Sequence, residues 1–486
     1  MGMLYLSIYA VVVLLVFAYS IVARRSFIYK ALWFAFLVSA IFCIICKANQ
    51  DVLVGHSTLH DTWYDLSDTT LRGYLLIVVC AYIAFIPIDR IGKNKSIGKL
   101  GKTNVEKFFL TIFCWFFLLA FLTYILTSFD VIKEALLNND YLSVRESAYD
   151  NSDNEAVNIL YSNLQVGTFC FKFCWLMKYF VAFLPFVLLK EKKHRFLASL
   201  TLLSDFALVY IYGNINAARG SVLIFAFFVF LIFALFYKYF AKKTRQIIIK
   251  SGIALGVFLG AFFISVTISR TSDNTSGGNL VLKNICFYLG HGPIEFSKIV
   301  GSLSNFSYGQ VVLGRLSNHY FGTPYDVDSI LSSINYPNIG PVFVSFLAWI
   351  YTDFGTFGCL AFFSIWSYVI SRLVSRRHVK LSSIFVFCYY LSYFVTGIFT
   401  IGRLEYASLV TTSLVGVVIF CFESMFYEKY MPYNSDMHRP KSPKSSRSSN
   451  IRAITSSQKS FNDASSSSSL SLPGRRDENA SKANLC

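Results

Sequence analysis

Residues 220–238 read GSVLIFAFFVFLIFALFYK, and no charge interrupts them before Lys238. A helix of about 20 apolar residues crosses the ~30 Å of hydrocarbon in a bilayer, and this run has that length and composition. Comparable runs lie at about 3–22, 27–46, 73–88, 108–128, 166–189, 196–213, 251–268, 356–372, 381–399 and 406–427. The whole chain of 486 residues is 55% hydrophobic and 17% aromatic, with a mean hydropathy of +0.52. The fold class read from these runs is all-α: a polytopic membrane protein with about 11 transmembrane helices. The weakest runs are the third, with Pro87 near its end, and the sixth, with Asp205 inside it.

The net charge of +17 does not point to a nucleic-acid partner, because its placement is that of a topology signal. The alternate short segments 23–30, 89–107, 190–195, 238–250 and 372–380 hold 22 Lys and Arg in 55 residues. The segments between them, 47–72, 129–165, 214–219, 269–340 and 400–405, hold 10 in 147, together with 16 Asp and Glu. By the positive-inside rule the first set is cytoplasmic, which places the N-terminus outside and the C-terminus inside. The membrane domain is expected over 1–431. From 432 to 486 the chain is rich in Ser, Lys and Pro, cannot bury a core, and is expected to be a disordered cytoplasmic tail. Nearly all of the 11 Cys fall in or beside apolar runs, so no disulfide framework is implied.

The outer loops expected at 47–72, 129–165 and 269–355 are where function is sought. The first carries His56, His60, Asp61, Asp65 and Asp68, read as a solvated acidic face, with metal binding as the alternative because His56 and His60 stand four residues apart. The second begins with a helix-like stretch. The third, between spans 8 and 9, is the longest run between spans and carries Arg270, His291, Glu295, Arg315, His319, Asp326 and Asp328 among apolar residues. A stretch that long and that apolar is neither linker nor disordered, and it reads as a folded lid or cleft wall. Within the spans, Lys172 and Lys178 are expected to pair with Asp205, because an isolated charge at that depth is costly, with a proton or ion pathway through a wet interior as the alternative.

Arg219 opens the seventh span from outside, Arg403 stands in the same position before the eleventh, and Arg270 lies at the outer end of the eighth. Free N–H groups and the helix dipole make a helix N-terminus a seat for phosphate, and a guanidinium adds a bidentate donor. Snorkelling at the interface is the plainer reading of any one of these arginines.

Ala218–Ser221 (ARGS) opening a span from outside, the large outer stretch after Arg270, and NIGPVFVSFLAWIYTDFGTFG before a span together resemble the Wzy-type O-antigen polymerases, the oligosaccharide repeat unit polymerases. The layout covers most of 1–430. The arginine loop repeats of some members, with Gly eleven positions after Arg, are absent, so no family residue is carried over from them. The resemblance implies glycosyl transfer on the outer face of a bacterial inner membrane, from one undecaprenyl-pyrophosphate-linked glycan to the next lipid-linked repeat unit. It also implies membrane lipid, a chain-length regulator and a flippase as partners. The leaving pyrophosphate is then assigned to Arg219, Arg270, Arg315 and Arg403, without metal or other cofactor. The base is sought among His319 and His291, with Glu295, Asp326 and Asp328 behind them. An O-antigen ligase shares this layout, and a glycolipid transporter or flippase is the alternative that is not an enzyme.

Overall fold

In the computed structural model the described residues are 1–48, 66, 68–101, 104–130, 132–133, 165–190, 194–215, 219–269, 280–322, 326–334, 336, 345–376, 379–399, 413–421 and 423–425. All their regular elements are helices. In chain order these are α1 (Gly2–Val22), α2 (Phe27–Ala48), α3 (Leu71–Lys93), α4 (Asn104–Thr127), α5 (Gln165–Val181), α6 (Leu184–Leu188), α7 (Arg195–Ile215), α8 (Arg219–Phe236), α9 (Lys242–Ser269), α10 (Leu280–Ser302), α11 (Gln310–Phe321), α12 (Val327–Ser333), α13 (Ala348–Val374) and α14 (Leu381–Phe399). A short apolar helix, Ser413–Met425, follows.

Nine helices among the described residues are long and apolar enough to cross a membrane: α1, α2, α3, α4, α7, α8, α9, α13 and α14. The chain is a multi-pass membrane protein. These nine coincide with nine of the expected spans. The expected fifth span is divided: α5 has 17 residues, the chain turns at Ala182 and Phe183, and α6 follows with Pro185 in its first turn. Seventeen residues rise only about 25 Å, short of the ~30 Å required. The expected eleventh span, the second outer loop, the histidines of the first and the tail at 432–486 lie wholly or largely outside the described residues.

Pro87 does not end α3, which continues to Lys93. Proline removes the N–H that would satisfy the carbonyl four residues back, and in a membrane that carbonyl needs another donor. Ser367 Oγ of α13 donates to the Ile83 carbonyl at 2.7 Å, and Tyr390 Oη of α14 donates to that of Ala84 at 2.6 Å. The apparent weakness of the third span is thus repaired by two other helices. Phe85, on the same helix, centres the aromatic core, with Trp33, Phe36 and Phe394 rings 5.6 to 5.8 Å away.

The five basic segments meet at one end of the bundle. Asp89 accepts from Arg25 at 3.0 Å, Lys93 at 2.8 Å and the Ser26 amide at 2.6 Å. Asn94 donates to the Val374 and Arg376 carbonyls, Lys190 to those of Gly98 and Leu100, and Arg195 to Thr244. Glu423 caps α14, accepting from the amides of Leu381 and Ser382.

The opposite end is built differently from the expected lid. Its first element, α10, is a 23-residue helix packed between α2 and α3, and residues 293–300 are buried on every side. A Cβ on Gly290 would lie 2.7 Å from the Cys43 amide nitrogen, so the α10 and α2 backbones touch where only glycine fits. Thr70, the N-cap of α3, exchanges hydrogen bonds with Ser297: Thr70 N to Ser297 Oγ and Ser297 Oγ to Thr70 O, each 2.8 Å. A helix with Lys283, His291, Glu295 and Lys298 in its sequence reads as too polar for a span, yet α10 packs into the bundle with His291 and Lys298 both against Glu295.

Candidate functional site

His291, Glu295 and Lys298 are spaced four and three residues apart, which on a helix puts them on one face. On α10 they form a buried row: His291 Nε2 lies 3.4 Å and Lys298 Nζ 3.0 Å from Glu295 Oε1. Glu295 is 1% exposed, and its second oxygen, Oε2, has no hydrogen-bond partner among the described residues. Burial raises the carboxyl pKa from 4.5, Lys298 opposes the shift, and the value settles at about 7. A carboxyl titrating near neutrality suits proton transfer in either direction. Tyr336, beyond α12, feels this group: burial raises its pKa and the Glu295 charge raises it further. Tyr336 also lines a small cavity with Leu331, Ala348, Trp349 and Thr352, between the end of α12 and the start of α13.

The roof of this end is tied down by Asp353, whose place just before an apolar run would suit the cap of that run's own helix. It caps α11 instead, from 42 residues away. Its carboxylate accepts from the Val311 amide at 2.9 Å, the Val312 amide at 2.7 Å and the Ser307 hydroxyl. The Ser307 and Tyr308 amides donate in return to the Thr352 and Asp353 carbonyls at 3.1 and 3.0 Å. Gly355, at φ 64°, then bends α13 sharply, with the Phe306 ring where a side chain would project. Two stretches of chain, 306–312 and 352–355, are therefore locked together at the mouth of the bundle.

Compared with family models, curated proteins and solved structures, the chain matches none. The reading of this site therefore rests on its own geometry and on the resemblance described above.

Of the nine residues assigned to chemistry, the structure brings His291 and Glu295 into contact, and Asp328 lies in α12. Arg315 and His319 both lie in α11, one turn apart, on the helix that Asp353 anchors. Asp326 is exposed, immediately before α12. Arg219 is the first residue of α8, as expected, while Arg270 and Arg403 lie outside the described residues. Asp326, Val327 and Asp328 form an Asp-x-Asp spacing that suits a metal-bound diphosphate, so the expectation of a metal-free reaction has no support in the residue pattern.

Sequence reasoning passed over Lys298, Tyr336 and the true partner of Asp353. The regular spacing of His291, Glu295 and Lys298 was a usable signal for the first. Nothing local announces the other two. The expected pairing within the spans also takes another form. Lys172 is exposed, whereas Lys178 is buried with its Nζ 3.0 Å from the centroid of the Trp175 ring. Asp205 is fully buried, and neither of its oxygens has a hydrogen-bond partner among the described residues.

Proposed function

We propose that this chain polymerises undecaprenyl-pyrophosphate-linked oligosaccharide repeat units of an O-antigen or capsule, by glycosyl transfer on the outer face of the bacterial inner membrane. The observation that carries the proposal is the buried row at the bundle end opposite the basic segments, where Glu295 lies between His291 and Lys298 with its Oε2 unpartnered among the described residues. Glu295 accepts the proton of the acceptor sugar hydroxyl. The hydroxyl oxygen then bonds to the anomeric carbon of the growing glycan as the bond from that carbon to the pyrophosphate oxygen breaks. Arg219 at the start of α8 and Arg315 on α11, with Arg270 and Arg403, neutralise the departing pyrophosphate. His291 and Lys298 act on Glu295 as positioning groups.

The test is the polysaccharide ladder of a strain lacking the chain, run beside the same strain carrying it. Lipid A core bearing a single repeat unit supports a polymerase. Core alone, with repeat units accumulating on the lipid carrier, overturns it in favour of a ligase or a translocator. A second reading, glycolipid translocation, has one specific observation in its favour: the buried Asp205 and Lys178 lie beside the break between α5 and α6, and broken helices at charged intramembrane sites are a transporter device.

A further inference from the structure

Asp205 is the eleventh residue of α7, about 15 Å along the helix from its basic end. It is 0% exposed, and both carboxyl oxygens lack a hydrogen-bond donor among the described residues. A carboxylate in that state would be a bare charge in a medium that solvates it poorly, far costlier than the neutral acid. The cation that acts on it electrostatically is Lys178. Lys178 Nζ lies over the Trp175 ring at 3.0 Å from its centroid and 5.0 Å from that of Tyr179, an arrangement in which the ring faces hold the ammonium.

The surroundings carry few other titratable groups. From α5 come Lys178 and Cys174, and from α14 comes Tyr389, whose own hydroxyl makes no hydrogen bond among the described residues. From α4, Cys114 faces Thr201, one turn before Asp205. The described side chains of α6 and α8 bring none. A second feature marks the same place: α5 ends at Val181, one turn after Lys178, and Pro185 leaves the Val181 carbonyl without its helical donor. A carboxyl, an amine and a helix break thus meet at one depth in the bundle.

We infer that Asp205 is a proton-binding site inside the membrane, occupied as the carboxylic acid while Lys178 rests on the Trp175 ring. The ligand is a proton rather than a metal cation, since the ammonium of Lys178 already supplies the positive charge at the site. When the proton leaves to water, the carboxylate draws Lys178 off the ring, and α5 moves relative to α7 at its break. This site is separate from the Glu295 row, and it holds whichever reaction the chain performs.

Infrared spectroscopy of the full-length protein in lipid membranes tests this, because an unionised carboxylic acid has a carbonyl stretch resolved from those of carboxylates and amides. Protein with carboxyl-13C aspartate is compared with unlabelled protein at neutral pH. The expected result is an acid band that moves with the aspartate label, vanishes in Asp205→Asn, and in Lys178→Met persists to higher pH than in the wild type. Wild-type protein without an aspartate acid band at neutral pH would overturn the inference, and so would a band left unchanged in a folded Asp205→Asn protein. Where Asp205→Asn fails to fold, Asp205→Glu serves instead: an acid band that leaves the aspartate label in that variant supports the inference, and one that stays with it overturns it.

Discussion

Asp353 and Asp205 are both completely buried aspartates, one at the mouth of the bundle and one in its middle, and the protein treats them in opposite ways. Asp353 collects two backbone amides and a serine hydroxyl, and it holds the start of α11 to α13. Asp205 collects no hydrogen bond among the described residues, although an ammonium lies within electrostatic reach. Burial alone therefore does not fix what a carboxyl does. Donors turn it into a structural charge, and their absence leaves a group able to exchange a proton. Glu295 stands between the two, with one oxygen bonded to Lys298 and the other bare.

This contrast can be broken by substitution. The largest expected effect is at Glu295: if it is the base, Glu295→Gln keeps the volume and lowers polymer formation by roughly 10²- to 10⁴-fold, with wild-type protein levels in the membrane. A normal ladder from that variant would remove Glu295 from the chemistry. Next comes the matched aspartate pair. Asp353→Ala strands two amides and a hydroxyl and is expected to cost about 3 kcal/mol or more, read as a lower unfolding temperature in detergent. Asp205→Asn exchanges a neutral acid for a neutral amide and is expected to cost under about 1 kcal/mol. Equal losses at the two positions would mean that Asp205 is a structural charge after all.

The pH dependence sharpens the same comparison. Glu295 has its pKa raised from 4.5 to about 7 on folding, so between those values the folded chain holds more protons than the unfolded one. Stability then falls as pH rises through that window, by an amount on the order of 3 kcal/mol, and Glu295→Gln should flatten the slope. Activity should run the other way, rising as Glu295 ionises through about pH 7. The smallest effect is expected at Arg72, which is exposed and donates to Thr356 Oγ1 at 3.1 and 2.6 Å. Arg72→Ala should change stability by less than about 1 kcal/mol and leave the ladder intact. A lost ladder there would add Arg72 to the pyrophosphate-binding set.

Much of the far end was legible in part. The bend at Gly355 and the row of His291, Glu295 and Lys298 follow from local residue type and spacing. The route of α10 into the bundle does not, because its charges make it read as a loop until Glu295 is seen bonded to Lys298 and Gly290 seated on the α2 backbone. Pro87 gave a false weakness for the matching reason, since its cure comes from Ser367 and Tyr390, 284 and 306 residues from the carbonyls they satisfy.

The sequence by itself determined that this chain crosses a membrane many times and which segments share an end. Partition into hydrocarbon adds up residue by residue along a run, and an excess of Lys and Arg marks a segment without reference to any other. Tertiary structure alone decided which buried polar groups are satisfied. A hydrogen bond depends on one donor at one distance, and the donor for Asp353 lies 42 residues away, while that for the Gly290 carbonyl, the Cys43 thiol, lies 247 away. No local pattern encodes such a meeting. The difference between a capped carboxylate and a bare one, and with it the assignment of Asp205, Glu295 and Asp353, came only from the packed helices.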